Sequence, residues 1–190
     1  MLSKKKSEAG FSYIDVLIAI VILMVGILAM LSALTANLIR SYESEKRIVA
    51  KQMVVSTIES IISAKEIKNA GVIEGWDSIR NFAGLPAGEI DGIFLTGFLP
   101  IREEIGGDGA AGTADDACAS GAPCVTPTSP TNNSAEVEGY QRRILITDVE
   151  DPERPFPENA IARRRIDVTI RFVTNAGLRE ETMSTIVANY

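Results

Sequence analysis

An apolar run from Val16 to Ile39 that contains no charged residue constrains this chain more than any other feature. As a helix it is long enough to cross a bilayer core of about 30 Å. At its head stands a single acid, Asp15, and shortly before it lies the basic patch Lys4-Lys5-Lys6. Translocon scales put an acid at a helix centre at roughly +2.5 to +3.5 kcal/mol, and less near the interface. Intramembrane charges are usually paired, so a partner for Asp15 has to come from elsewhere. A secretory signal peptide would have an apolar core of about 7–15 residues and a small-x-small cleavage site. This run is longer, and the Ser32–Ala36 region gives no such site. The lysines predict a cytoplasmic N-terminus with the bulk of the chain outside.

The segment Gly10-Phe11-Ser12-Tyr13-Ile14-Asp15-Val16 resembles the processing signal of type IV prepilins and type II secretion pseudopilins. That pattern is a basic leader ending in Gly, then Phe, Ser or Thr, two apolar residues, Glu and an apolar helix. The run Val21–Leu28 is most similar to minor pilins of the V type and lacks the mid-span proline of many major pilins. One departure is Asp15, where the family nearly always has Glu. The resemblance covers residues 1–60 and implies cleavage after Gly10 by a membrane aspartyl peptidase, followed by N-methylation of Phe11. It also implies a pilin-like fold, with prepilin peptidase, other pilin subunits and an inner-membrane assembly platform as partners.

The electrostatics of such a signal stand apart from the family. Cleavage would expose an α-amine with a pKa of about 7.7–8.0, largely cationic at neutral pH. In a bundle, a displaced neighbour could set its Asp15 beside this amine, whereas a slipped register would strand each charge at about 3–5 kcal/mol. The competing role for Asp15 is local: an acid in the first turn favours the helix macrodipole by about 0.3–1 kcal/mol.

From Arg40 to Ala70 the pattern turns amphipathic, with Ile48, Val49, Met53, Val55, Ile58, Ile62 and Ile67 at helical spacings. Glu43 and Arg47 suit an i, i+4 pair on a solvated face, and Gly71 is a natural stop. One helix from Ser12 to Asn69 would run about 87 Å. Its outer half can bury that stripe only against a sheet from later in the chain. The segment 71–100 predicts packing from Trp76, Ile79, Phe82, Leu85, Ile93, Phe94, Leu95, Phe98 and Leu99.

Residues 106–138 shift to Gly, Ala, Ser, Thr, Pro and Asn, which predicts a long surface loop. Cys118 and Cys124 are the only cysteines. In an exported domain they should pair and stiffen the loop tip. Asp108, Asp115 and Asp116 are spaced by glycine turns that could fold oxygens around calcium. The run resembles short Asp-Gly…Gly-Thr-x-Asp-Asp stretches of some bacterial surface proteins and does not match an EF-hand. The plainer reading is a solvated acidic glycine turn, with calcium as the alternative. No other cofactor is implied.

Three or four antiparallel strands are expected to cover the outer half of the helix, the clearest of them in the C-terminal third. Tyr140–Val149 turns Ile144 and Ile146 to one face and Leu145 to the other. Arg165–Val173 alternates Ile166, Val168, Ile170 and Phe172 against Asp167, Thr169 and Arg171. After a turn at Asn175–Gly177, Arg179–Ala188 returns with Met183, Ile186 and Val187 for packing. The cluster Arg163-Arg164-Arg165 is expected to flank the second strand and face solvent. Residues 151–162, with three prolines, connect strands.

The fold class expected is therefore α+β: a leader at 1–10, a spanning half-helix at 11–39, an amphipathic half at 40–70 and a head at 71–190. Its loop is 106–138 and its C-terminal strands lie within 140–190. Formal net charge is −6, and losing the leader's three lysines and one glutamate would take it to −8. Such an acidic head argues against nucleic-acid binding. Histidine is absent, Gly-x-Ser-x-Gly and phosphate-loop motifs are missing, and neighbouring acids such as Glu103-Glu104 would point to opposite faces of a strand. No catalysis is expected. The function expected is that of a minor pilin subunit of a type IV pilus, assembled from the bacterial inner membrane. A type II secretion or competence pseudopilin is the alternative within the family. A single-span tethered binding domain that never polymerises is the alternative of another class.

Overall fold

The computed structural model describes residues 12–66, 75–86, 89, 91–103, 109–113, 116 and 135–189. Their order is α1 (Tyr13–Glu66), α2 (Gly75–Ser78), β1 (Leu99–Arg102), β2 (Glu136–Val149), β3 (Arg163–Thr174) and β4 (Gly177–Ala188). This is an α+β architecture with a long N-terminal helix and one antiparallel sheet in the order β1-β2-β3-β4. The chain divides into two units, Met1–Ser44 and Glu45–Tyr190.

In the first unit α1 has no proline, and from Ser12 to Tyr42 every residue is exposed. Thr35 folds its hydroxyl onto the Leu31 carbonyl at 2.9 Å, which satisfies it inside the helix. Among the described residues, α1 is the one helix long and apolar enough to span a membrane.

In the second unit the rest of α1 lies under one face of the sheet. Its buried residues are Ala50, Val54, Thr57, Ile58, Ile61 and Ala64, spaced by three or four so that they share one side. This differs from the expected stripe. Of the residues named for it, Ile58 is buried and Met53 packs partly, while Ile48, Val55 and Ile62 face outward. Ala50 and Ala64 are covered on this side, and the branched side chains of Val54, Ile58 and Ile61 fill the space between helix and sheet. Thr57 enters the core because its hydroxyl bonds the Met53 carbonyl at 2.8 Å. Two lysines fasten this stretch to strand ends: Lys46 donates to the Val173 carbonyl at 2.8 Å and Lys65 to that of Ala188 at 2.7 Å. Arg47 pairs with Glu181 of β4 rather than with Glu43.

The strands match their expected alternation and run longer. Ile144 and Ile146 are buried and Leu145 is exposed. Ile166, Val168, Ile170 and Phe172 form the centre of the core. Thr169 on the other face is also buried, its hydroxyl 2.9 Å from that of Thr182 on the paired strand. On β4 only Val187 of the three expected residues is buried; Met183 and Ile186 are exposed. Ile186 pairs with Arg165 and lies on the outer face, whereas Met183 shares the inner face with Val168.

Beyond Arg142 no further pairing of β2 with β1 is found among the described residues. The side chain of Asn81 takes over there. Its Oδ1 accepts the Ile146 N–H at 2.7 Å and its Nδ2 donates to the Ile144 carbonyl at 3.0 Å, as a neighbouring peptide would. Asp91 gathers the next turn by accepting N–H groups from Ala83, Gly84, Leu85 and Gly92. Gly92 is required here, since a Cβ would stand 2.1 Å from the Arg80 carbonyl oxygen. In this segment Trp76, Ile79 and Phe94 are buried as expected, but Phe82 and Leu85 are exposed.

Part of the expected surface loop is inside. Ala110 and Ala111 are buried, and the Ala111 N–H donates to Ser60 Oγ on α1 at 3.2 Å. Small side chains permit this approach, and they were the reason the stretch read as a solvated loop. The expected helix end at Ile67–Gly71 lies outside the described residues.

Two outcomes check this packing. Ile61→Ala should cost about 2–5 kcal/mol in denaturant unfolding of the detergent-solubilised chain, whereas its neighbour Ile62→Ala should change stability by less than about 0.5 kcal/mol. The backbone N–H groups, that of Ala83 foremost, outweigh a smaller desolvation and hold the Asp91 carboxyl below its ordinary 3.8. A depressed folded pKa gives stability that is present above 3.8 and is lost as pH falls through the folded value. The stability gap between the parent and Asp91→Asn should therefore narrow as pH drops below 3.8.

Candidate functional site

Ser12 precedes the first helical residue and Asp15 occupies the third helical position. The Ser12 N–H donates to Asp15 Oδ2 at 3.2 Å, and the Asp15 N–H donates to the Ser12 carbonyl at 2.9 Å. This is the acid's half of a capping box, in which a side chain reaches back to an otherwise unpaired donor. Asp15 is exposed, at the head of an apolar helical surface that has no packing partner. Gly10 and Phe11 lie outside the described residues, as do Cys118, Cys124, Asp108 and Asp115.

Asp116 sits against β2, where it pairs with Arg142 and accepts the Gly112 N–H at 2.8 Å. Both side chains are largely buried. Desolvation pushes the Asp116 carboxyl above its ordinary value, opposed by the charge of Arg142 and by the Gly112 N–H. Desolvation likewise lowers Arg142, and Asp116 opposes that. The pair fastens Asp116, and through it Gly112, to the sheet. The Arg142 guanidinium and the Gly112 N–H both meet Oδ2, while the Thr113 hydroxyl lies 3.4 Å from Oδ1. Among the described residues no group of three or more ligating side chains is close enough to hold a metal.

A second arginine was expected to face solvent and does not. Arg164 is fully buried. Alternation along β3 puts it in phase with Ile166, Val168, Ile170 and Phe172, and that phase was readable in the sequence. It is directly paired with Asp148 on β2, and its Nε donates to Asp148 Oδ1 at 3.0 Å. Its Nη1 donates to the Ile79 carbonyl at 3.0 Å and also to that of Trp76. The guanidinium lies 4.3 Å from the centroid of the Trp76 ring, a cation–π contact. Burial draws Arg164 below its ordinary value, and neighbouring Arg80 pulls the same way against Asp148 and Asp77. Its flanking residues are more exposed: Arg163 pairs with Asp151 and Arg165 with Asp167.

In front of this cluster opens a groove of about 830 Å³, lined among others by Trp76, Asp77, Arg80, Asp148, Phe156 and Asn159. The Trp76 indole N–H donates to the Ile161 carbonyl at 3.3 Å and ties the wall to the 151–162 connection. Among described buried side-chain atoms, Arg80 Nε and Arg164 Nη2 have no hydrogen-bond partner. Both belong to this cluster. Sequence reasoning treated Trp76 as packing, which it does, and gave no role to Arg80 or Phe156.

Comparison with known proteins gives no match to a family model, a curated protein or a solved structure.

Arg142→Met should destabilise the chain by about 3–5 kcal/mol, because it leaves the Asp116 carboxylate buried and uncompensated. The double variant Arg142→Met with Asp116→Asn should recover most of that loss in the same unfolding measurement, since the two residues form one unit.

Proposed function

We propose that this chain is a minor pilin-like structural subunit of a type IV pilus, held in the bacterial inner membrane and assembled through its N-terminal helix. The observation that supports this reading most is within α1. One uninterrupted helix joins an apolar stretch exposed on all sides to a stretch packed under an antiparallel sheet. The first stretch needs an apolar surrounding, which lipid supplies before assembly and neighbouring helices supply afterwards. In this reading the leader is cut after Gly10 by a prepilin peptidase and Phe11 is methylated. Asp15 then meets the cationic terminus of an adjoining subunit on an inner-membrane platform. A type II secretion or competence pseudopilin uses the same chemistry. The role is assembly rather than catalysis, with the acidic head outside the membrane.

One observation favours the tethered, non-polymerising reading. Asp15 already accepts the Ser12 N–H, so helix capping alone accounts for an acid at this position.

Mass spectrometry of the native N-terminus separates the two. A methylated Phe11 is expected for the filament subunit, and an intact Met1 in every preparation would overturn it. Asp15→Ala should leave membrane insertion intact and reduce entry into filaments about tenfold or more, as an unpaired buried charge costs about 3–5 kcal/mol. Asp15→Glu should assemble at least as well as the parent.

A further inference from the structure

We propose that β4 is an open sheet edge that pairs with β4 of a second copy of this chain, antiparallel and centred on Thr182. β4 is the last strand of the sheet. Its phase follows from its end, where the Asn189 N–H donates to the Ala162 carbonyl at 2.8 Å. That bond extends the register Arg163–Ala188 by one hydrogen-bonded pair. In an antiparallel ladder, bonded and non-bonded pairs alternate. The odd-numbered residues of β4 therefore bond β3, and Leu178, Glu180, Thr182, Ser184, Ile186 and Ala188 turn their N–H and C=O groups outward. The Ala188 carbonyl fits this phase, since Lys65 Nζ reaches it from α1 at 2.7 Å. From Leu178 to Ile186 the outward backbone groups have no partner among the described residues.

The two edges of the sheet are built differently. β1 is four residues long, carries Pro100 and shifts register beside it, and each of these hinders a further strand from adding. β4 has none of them. Its residues pair without a break from Gly177 to Ala188, and it contains no proline and no lysine. Both its glutamates are already paired, Glu180 with Arg171 and Glu181 with Arg47.

A second copy is the occupant that this edge matches. Only with Thr182 opposite itself does Leu178, 57% exposed, face Ile186, 61% exposed, of the other copy. The same register sets Glu180 opposite Ser184 of the other copy, and no like charges stand opposite each other. Centring on Glu180 or Glu181 would oppose identical acids. Twofold symmetry supplies the Leu178–Ile186 and Glu180–Ser184 contacts twice. Lys46 and Lys65 of α1 reach the carbonyls of Val173 and Ala188, and Val173 pairs with Leu178, so residues 45–66 run the same way as β4. Antiparallel pairing opposes these helices in the two copies and joins heads that face one another. It is separate from the Asp15 contact proposed for assembly.

The full chain with Cys118→Ser and Cys124→Ser, extracted in detergent, is followed by sedimentation equilibrium, and a concentration-dependent dimer is expected. Under mild oxidation Thr182→Cys should crosslink with itself, because a bonded pair holds its Cα atoms about 5.5 Å apart, within disulfide reach. Glu180→Cys alone should not, since its counterpart lies about 14 Å away, but mixed with Ser184→Cys it should. Ser184→Pro removes an N–H that β3 does not use and should weaken the dimer about tenfold or more, with circular dichroism unchanged. Ile186→Lys alters an exposed side chain and should weaken it similarly, so its result stands even where Ser184→Pro fails to fold. A monomer at every concentration overturns the proposal, whether another protein or none covers the edge. A dimer that both variants leave intact, or equal crosslinking by Thr182→Cys and Glu180→Cys, puts the contact elsewhere and overturns it too.

Discussion

Side-chain packing between α1 and the inner face of the sheet governs the second unit. Ala50, Val54, Thr57, Ile58, Ile61 and Ala64 share one side of the helix, and the branched ones among them fill most of the volume between the layers. The inner faces of β2 and β3 supply the other half of that interface with Ile144, Ile146, Ile166, Val168, Ile170 and Phe172. The 109–113 segment that packs beside this core is made of Gly, Ala and Thr, and a Cβ at Gly112 would stand 2.2 Å from Ile144 Cδ1.

Polar side chains then replace the regular structure that this core cannot provide. The segment from Gly75 to Phe94 contains one turn of helix and isolated bridges, so its peptide groups lack a ladder. Asn81 stands in for a strand beside β2, and Asp91 for the acceptors of a missing turn. Arg164 serves the carbonyls of Trp76 and Ile79 at once. Burying a guanidinium is unfavourable unless its donors are met. Here one cation serves two backbone oxygens and a carboxylate and covers an aromatic face, while its Nη2 has no acceptor among the described residues.

The periodicity of β3 was legible because four branched or aromatic residues alternate with polar ones, and the same phase carried Arg164 inward without being noticed. Charge outweighed phase in that reading, and phase decides the position. In α1 size is the misleading signal: Ile48, Val55 and Ile62 suggest the buried side, yet the covered side carries Ala50, Val54, Thr57, Ile58, Ile61 and Ala64. The 109–113 segment misled for a related reason, since small residues serve solvated turns and tight contacts equally well. The groove was illegible because its walls come from residues near 76–80, 148 and 154–162, which only the tertiary fold brings together.

The contact at the head of α1 bears on how one acid can serve two states. The Ser12 N–H to Asp15 bond is 3.2 Å long, whereas contacts between an ammonium and a carboxylate run about 2.7–2.9 Å and add the attraction of a full positive charge. In water the weaker local bond suffices, since the exposed carboxylate is also hydrated. In an apolar surrounding hydration is withdrawn, and a single neutral N–H leaves most of the charge uncompensated. A cationic terminus on a neighbour would then gain far more than the cap gives up. The same carboxylate can therefore nucleate the helix in the lone chain and exchange that bond for a stronger one in a filament. Aspartate fills the first role although its arm is shorter than glutamate's, since it still reaches back to the Ser12 N–H within the first turn.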